Sequence, residues 1–238
     1  MLKSHIGEIA ALATAFCWTF TGISFEYAGK KVGSLAVNFI RLILGFIFIS
    51  LFTYLTRGLL LPTDSSSFNW IWLGLSGIIG FFIGDLFLFQ SYLEVGTRVA
   101  MLIMATSPPI TALLGFIFMG EVITPKGLLG MAITTLGIAV VILSKDTGGK
   151  KLKLTHSVKG LTYAFLGALG QSVGLILSKI GMGTYNPFAA TQIRIITGFI
   201  GFFILFLYKK KWKDLTLAFK DKKAMTGITI GAFFGPFV

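Results

Sequence analysis

A single carboxylate, Asp85, interrupts the run Phe81-Phe82-Ile83-Gly84-Asp85-Leu86-Phe87-Leu88-Phe89. An unpaired carboxylate is costly in apolar surroundings, so this one needs a partner, a proton or water. Two kinds of chemistry are open to it. A carboxyl that alternates between charged and neutral forms can carry a proton or hold a cationic substrate during transport. The same group can instead form a structural pair with Arg41 or Arg194, or accept a hydrogen bond from a hydroxyl. Both arginines also sit inside apolar runs. A guanidinium suits the two-pronged geometry of a carboxylate or phosphate, so Arg41 and Arg194 can clamp an anionic group. Each lies within about two turns of a helix start, where it can also snorkel to the interface or cap a neighbouring helix.

Fainter polar signals accompany these three residues. Trp18, with Thr19, Thr21 and Ser24, forms a polar-aromatic strip, and Gln90-Ser91 and Gln171-Ser172 form two more. Such residues either line a mostly apolar substrate cavity or hydrogen-bond one helix to another. Ser107-Pro108-Pro109 interrupts regular helical bonding; the freed carbonyls can face substrate, permit bending or mark a fixed kink. Glu121 reads as a helix-end residue, and Glu8 and Glu26 as residues reaching the interface. His5 and His156 lie far apart outside the apolar runs, and Cys17 is alone. No zinc spacing, nucleophile elbow or phosphate loop is present in the sequence. The reading is therefore of a protein that is not an enzyme, has no cofactor and hydrolyses no ATP.

The elements that carry these residues are long. The chain has 238 residues, 55% hydrophobic and only 13% charged, with mean hydropathy +0.85. Its net charge of +12 invites a nucleic-acid partner. The basic residues, however, fall between apolar runs that water cannot accommodate, where Lys and Arg set topology. A span needs about 20 apolar residues. The sequence predicts spans at Ile6–Ala28, Leu35–Thr56, Asn69–Leu93, Val99–Met119, Pro125–Leu143, Val158–Ile180, Pro187–Tyr208 and Ala224–Val238, the last too short to cross. The runs lack sustained alternation, and backbone in lipid must satisfy its own hydrogen bonds, so each is predicted to be helical. The small-residue triplet Ala11-Leu12-Ala13 comes too early for a cleavage site, so span 1 is expected to stay. Thr124-Pro125 and Asn186-Pro187 are predicted helix starts. The Lys209–Lys223 stretch is read as a loop. The fold class is an all-α polytopic transmembrane bundle in the cell membrane, with the lipid bilayer as its surroundings.

An internal repeat organises the spans. Gly7, Gly22, Gly29, Arg41, Gly45 and Gly74 recur as Gly160, Gly174, Gly181, Arg194, Gly198 and Gly227, displaced by 152 or 153 positions. Residues 1–145 form a first unit of five spans, 146–157 a basic linker, and 158–238 a second unit of three. An odd number of spans makes the second unit enter from the opposite side, as in transporters with inverted repeats and a midplane site. A complete second unit would run roughly 60 residues beyond Val238, so the expectation is of a ten-helix parent of which this chain holds about eight helices. Small residues form expected packing faces at Gly170-Gly174-Ser178, Gly227-Gly231-Gly235, Gly80-Gly84 and Gly130-Thr134. Fifteen of the 21 basic residues fall on one side by these limits, which favours an outside N-terminus.

The segment from Gly84 to Leu143 resembles the second part of a repeat of the EamA family, within the drug/metabolite transporter superfamily. The matching features are Pro108 in span 4, the Gly120-Glu121 pair at its end, and Gly130 and Gly137 in span 5. Arg41 and Arg194 match the family's arginine in the second span of each repeat. Gly231–Val238 resembles the start of a third span in a second repeat. The resemblance implies two inverted five-helix units and a secondary-active exporter or importer of small metabolites, amino acids or drugs. The residues themselves mark Asp85, Trp18, Gln90, Ser107, Pro108, Gln171, Arg41 and Arg194 as candidates for a substrate or ion pathway. The partners expected on this reading are a small-molecule substrate, with protons or another coupling ion and a second copy of the chain as further candidates, and no nucleic acid. The family's cytoplasmic termini conflict with the charge count. Two other readings stand beside export: a flippase for lipid-linked headgroups, and a structural subunit completed by a partner chain.

Overall fold

The computed structural model describes residues 6–142 and 157–235. All but the last residue of the 146–157 linker, and the last three positions of the eighth predicted span, lie outside them. Among the described residues the regular structure is helical: α1 (Ile6–Val32), α2 (Ser34–Arg57), α3 (Ser67–Ser76), a π-helical segment (Gly77–Gly84), α4 (Asp85–Met104), α5 (Ser107–Met119), α6 (Pro125–Ile142), α7 (Val158–Met182), α8 (Pro187–Lys209), α9 (Trp212–Lys220) and α10 (Lys222–Phe234). The helices are apolar enough, and six stretches long enough, to make this a multi-pass membrane bundle.

Local chemistry sets the helix starts. Asn186 accepts from the backbone N–H groups of Phe188 and Ala189, both at 3.1 Å, with Pro187 in the first turn of α8. Thr124 Oγ1 accepts from Gly127 N at 3.1 Å where α6 begins. Ser66 and Asn69 exchange bonds in a capping box at α3.

Residues 67–104 form one unbroken-looking stretch of 38 residues. As a straight helix it would run about 57 Å, nearly twice the hydrocarbon thickness. Gly96 resolves this: its φ of 78° and ψ of 157° break α4, between the predicted third and fourth spans. Past the break, the end of α4 and α5 together form the fourth span. A second interruption at Ala105 and Thr106 divides it, immediately before Ser107-Pro108-Pro109. Glu26 of α1 accepts from Thr97 N at 2.7 Å, and Thr97 Oγ1 donates to Gly22 O at 3.2 Å. Glu26 therefore caps the restarted helix and does not merely reach the interface, as its position near a span end led us to expect.

α7 packs along the whole α3–π–α4 rod and against α5, while α8 packs on α2, α3 and the π segment. α10 lies against α1 and α2. Aromatic rings fill the α2–α8 contact, with Phe39 centred 4.9 Å from Phe199 and 4.8 Å from Phe206. α6 is peripheral. Ile138 is its buried residue, and Leu128, Leu129, Ile133, Leu136 and Val140 are exposed, as a lipid-facing helix requires.

Two sequence expectations need correction. The Lys209–Lys223 stretch is not simply a loop: it contains α9, whose Leu215 and Ala218 are buried while Lys213 and Lys220 face out. Among the described residues nothing packs on the Gly130 end of the Gly130-Thr134 face, since none lies within 4 Å of a Cβ placed at Gly130. The other small-residue faces do meet partners. A Cβ on Gly170 would lie 2.7 Å from Gly84 Cα, and one on Gly174 would lie 2.9 Å from Gly80 Cα. Gly231 abuts Phe25.

Candidate functional site: a charged centre at the glycine seam

Asp85 begins α4 immediately after the π segment and is 4% exposed. The π segment is itself a departure often found at functional positions. Its glycines let α7 approach so closely that side chains from α2, α7 and α8 converge on this level. Arg41 of α2 pairs with Asp85 Oδ2 through Nη2. Gln171 of α7 donates from Nε2 to Asp85 Oδ1 at 2.7 Å and reaches Gly80 O at 3.4 Å. Each carboxylate oxygen thus has its own donor. Arg41 is fixed in turn: its Nε donates to Asn38 Oδ1 at 3.0 Å, and its guanidinium centre lies 4.7 Å from the Phe89 ring and 5.9 Å from that of Phe25. Asn38 Nδ2 donates to Ser34 O at 3.2 Å and Asp85 O at 3.4 Å.

Arg194 of α8 is near enough to exert attraction on the Asp85 carboxylate. Its guanidinium centre stands 4.3 Å from the Phe81 ring. Among the described residues its buried Nε has no hydrogen-bond partner. Neither arginine snorkels away from the bundle interior.

The remaining candidate residues divide. Ser107 Oγ lies 2.8 Å from Ser172 Oγ, next to Gln171 on α7, so Ser107 belongs to the same seam. Ser34 Oγ donates to Gln90 Oε1 at 2.9 Å, which places Gln90 beside the Asn38–Arg41 face but off Asp85. Trp18 packs half-buried against the core. Pro108 is exposed in the first turn of α5 and takes no part in the centre.

Two residues in the interior were not anticipated. Asn38 is fully buried and lies three positions before Arg41, so it shares that helix face; this spacing was the available signal. Gln192 is also fully buried, donating to Ser50 Oγ at 2.9 Å and Leu60 O at 2.8 Å. Nothing in its local sequence distinguishes it from an outward-facing glutamine.

Ion pairs link the helix ends. Glu121, turned back by Gly120 (φ 67°), pairs with Lys179 of α7. The two border a cleft of about 360 Å³ between α5 and α7, which Asp85, Arg41 and Gln171 do not line. At the α2–α3 loop, Tyr185 Oη donates to Asp64 at 2.8 Å and Arg57 pairs with the same carboxylate. These contacts, Tyr185 first, hold Asp64 below the usual carboxylate range. Burial and the Asp64 carboxylate push the Tyr185 hydroxyl up.

Charged side chains buried among membrane helices pair with one another inside the bundle, as they do here. Residues 5–143 match the EamA-like transporter family, and the chain belongs to that family. A curated relative from Archaeoglobus fulgidus, described as an uncharacterized transporter, is 23% identical over 169 residues. That match takes in 71% of this chain and 56% of the relative's length. The chain thus spans little more than half of the relative it matches.

Proposed function

We propose that the chain acts as a secondary-active transporter, exporting small metabolites such as amino acids or drug-like compounds. The observation that carries this reading is the Asp85–Arg41–Gln171 knot, a buried carboxylate held by donors from two other helices. Protonation of Asp85 would release Arg41, and rebinding of Arg41 would release the proton, so ion movement and helix movement share one bond. Backbone meets backbone where Gly84 faces Gly170 and Gly80 faces Gly174, which supports movement of the rod against α7 once the side-chain bonds that cross the seam from Ser76 and Gln171 let go. The contact pattern supports two inverted units: α7 packs on α3 as α1 packs on α10, and α2 meets its counterpart α8 directly.

The test is a mass-spectrometric profile of medium from cells making the wild type, Asp85→Asn or empty vector. Compounds enriched only with the wild type would support export through Asp85. Equal export by Asp85→Asn would make Asp85 structural. No difference from empty vector in any compound would count against export.

A further inference from the structure

We infer that Arg194 receives an anionic group, a carboxylate or phosphate, from the transported molecule. This rests on the transport reading and names its substrate class. The first support is a census of acids. Glu26 pairs with Lys30, Asp64 with Arg57, Asp85 with Arg41, Glu94 with Lys159, Glu121 with Lys179, Asp214 with Lys211 and Asp221 with Lys31. Every acid whose side chain is described therefore has a cation of its own, and none of these pairs includes Arg194. Asp85 attracts Arg194 through space, but both of its oxygens are already engaged, by Arg41 and Gln171. The centre holds two guanidiniums against one carboxylate, leaving one positive charge over.

The second support is geometric. Arg194 Nε is buried with no acceptor among the described residues, and a buried donor without a partner is costly. Phe81 offers the guanidinium a ring face, which steadies a cation without neutralising it. On the opposite helix the nearest positions are glycines: a Cβ at Gly80 would come within 3.5 Å of Arg194 Nη2, and one at Gly77 would strike the Arg194 backbone. The third support is in the sequence. The offset of 153 that carries Arg41 to Arg194 carries Asp85 to Val238, so the second arginine has no acid at the corresponding place. An oxyanion supplies both the missing charge and the missing acceptor.

The test is binding, measured separately from flux. The purified chain is melted in neutral detergent with inorganic phosphate or acetate, against chloride at equal ionic strength. It is also melted in nanodiscs of phosphatidylcholine with or without phosphatidylglycerol. The wild type should gain thermal stability with phosphate or acetate. Arg194→Gln should weaken the apparent affinity about tenfold or more, the loss of one charge-assisted bond. Arg194→Lys, which keeps the charge and guards against misfolding, should retain part of it, and Arg57→Gln all of it. Stabilisation by phosphatidylglycerol alone, lost in Arg194→Gln, would assign the anion to a lipid headgroup. No anion-specific gain, or an equal gain in Arg194→Gln, would overturn the inference. Flux of a neutral or cationic solute in proteoliposomes, without anion binding, would leave transport standing and remove the anion site. Anion binding at Arg194 without any flux would do the reverse.

Discussion

Gln171 Nε2 and Asp85 Oδ1 lie 2.7 Å apart although 86 positions separate the residues in the chain. The bond crosses the glycine seam and completes the coordination of a carboxylate whose other oxygen belongs to Arg41. Gln171→Ala leaves one buried oxygen without a donor and should destabilise by about 1–3 kcal/mol. Gln171→Glu sets a second carboxylate against the first and should cost more at neutral pH. Thermal melts in detergent should rank wild type above the alanine variant and that above the glutamate variant. Three equal midpoints would mean the bond does not form in solution.

The seam itself tolerates no added methyl. Gly170→Ala drives a Cβ against Gly84 Cα, which is backbone and cannot rotate aside. A loss of about 1–3 kcal/mol is expected, as for other overpacked interiors. Gly130→Ala, with open space around it, should leave the midpoint unchanged. Equal behaviour of the two variants would show that the rod and α7 are not in close contact.

The turn at Gly96 depends on backbone freedom. A Cβ there would meet Glu26 Oε1 at an unstrained 3.6 Å, so φ of 78° is the obstacle rather than space. Gly96→Ala should cost about 1–3 kcal/mol and expose the Gly96–Thr97 junction to proteolysis. Wild-type protease resistance of the alanine variant would remove the break from the solution structure.

Much of this architecture was readable in advance, and the misses have physical causes. The spans, the breaks near Gly96 and Ser107, and the caps at Thr124 and Asn186 are local features, written in composition and turn chemistry. Asp85 announced itself because a carboxylate stands out among phenylalanines, and Arg41 was among its foreseen partners. Gln171 was singled out too, but a bond across 86 positions depends on how the helices assemble. Asn38 and Gln192 were missed because neutral amides face inward or outward without changing the local pattern. α9 was hidden by its lysines, although Leu215 and Ala218 keep helical spacing. The π segment left only a glycine pattern that plain packing also explains.

The Arg57–Asp64–Tyr185 cluster should give stability a pH window. Asp64 has a lowered folded value, so its contribution is present above the unfolded carboxylate value near 3.8 and fades as pH falls through the folded one. Tyr185 is raised, so its contribution is full below its unfolded value near 10.0 and is lost as pH rises through the folded one. Tyr185→Phe should flatten both limbs of a melting-temperature profile. An unchanged profile would show that the loop is not clasped to Tyr185.

Gly77–Gly84 has a mechanical consequence. In a π turn each N–H reaches one residue further back than in an α turn. If those eight residues exchanged that pairing for the shorter one, everything after them would rotate by about 100° and advance by about 1.5 Å per residue absorbed. Asp85 is the first residue to feel that change of phase. The carboxylate would swing from Arg41 toward a different neighbour while α3 stayed anchored by its cap at Ser66. Such an exchange would re-aim one charge by trading hydrogen-bond partners within a single helix, with no loop to melt.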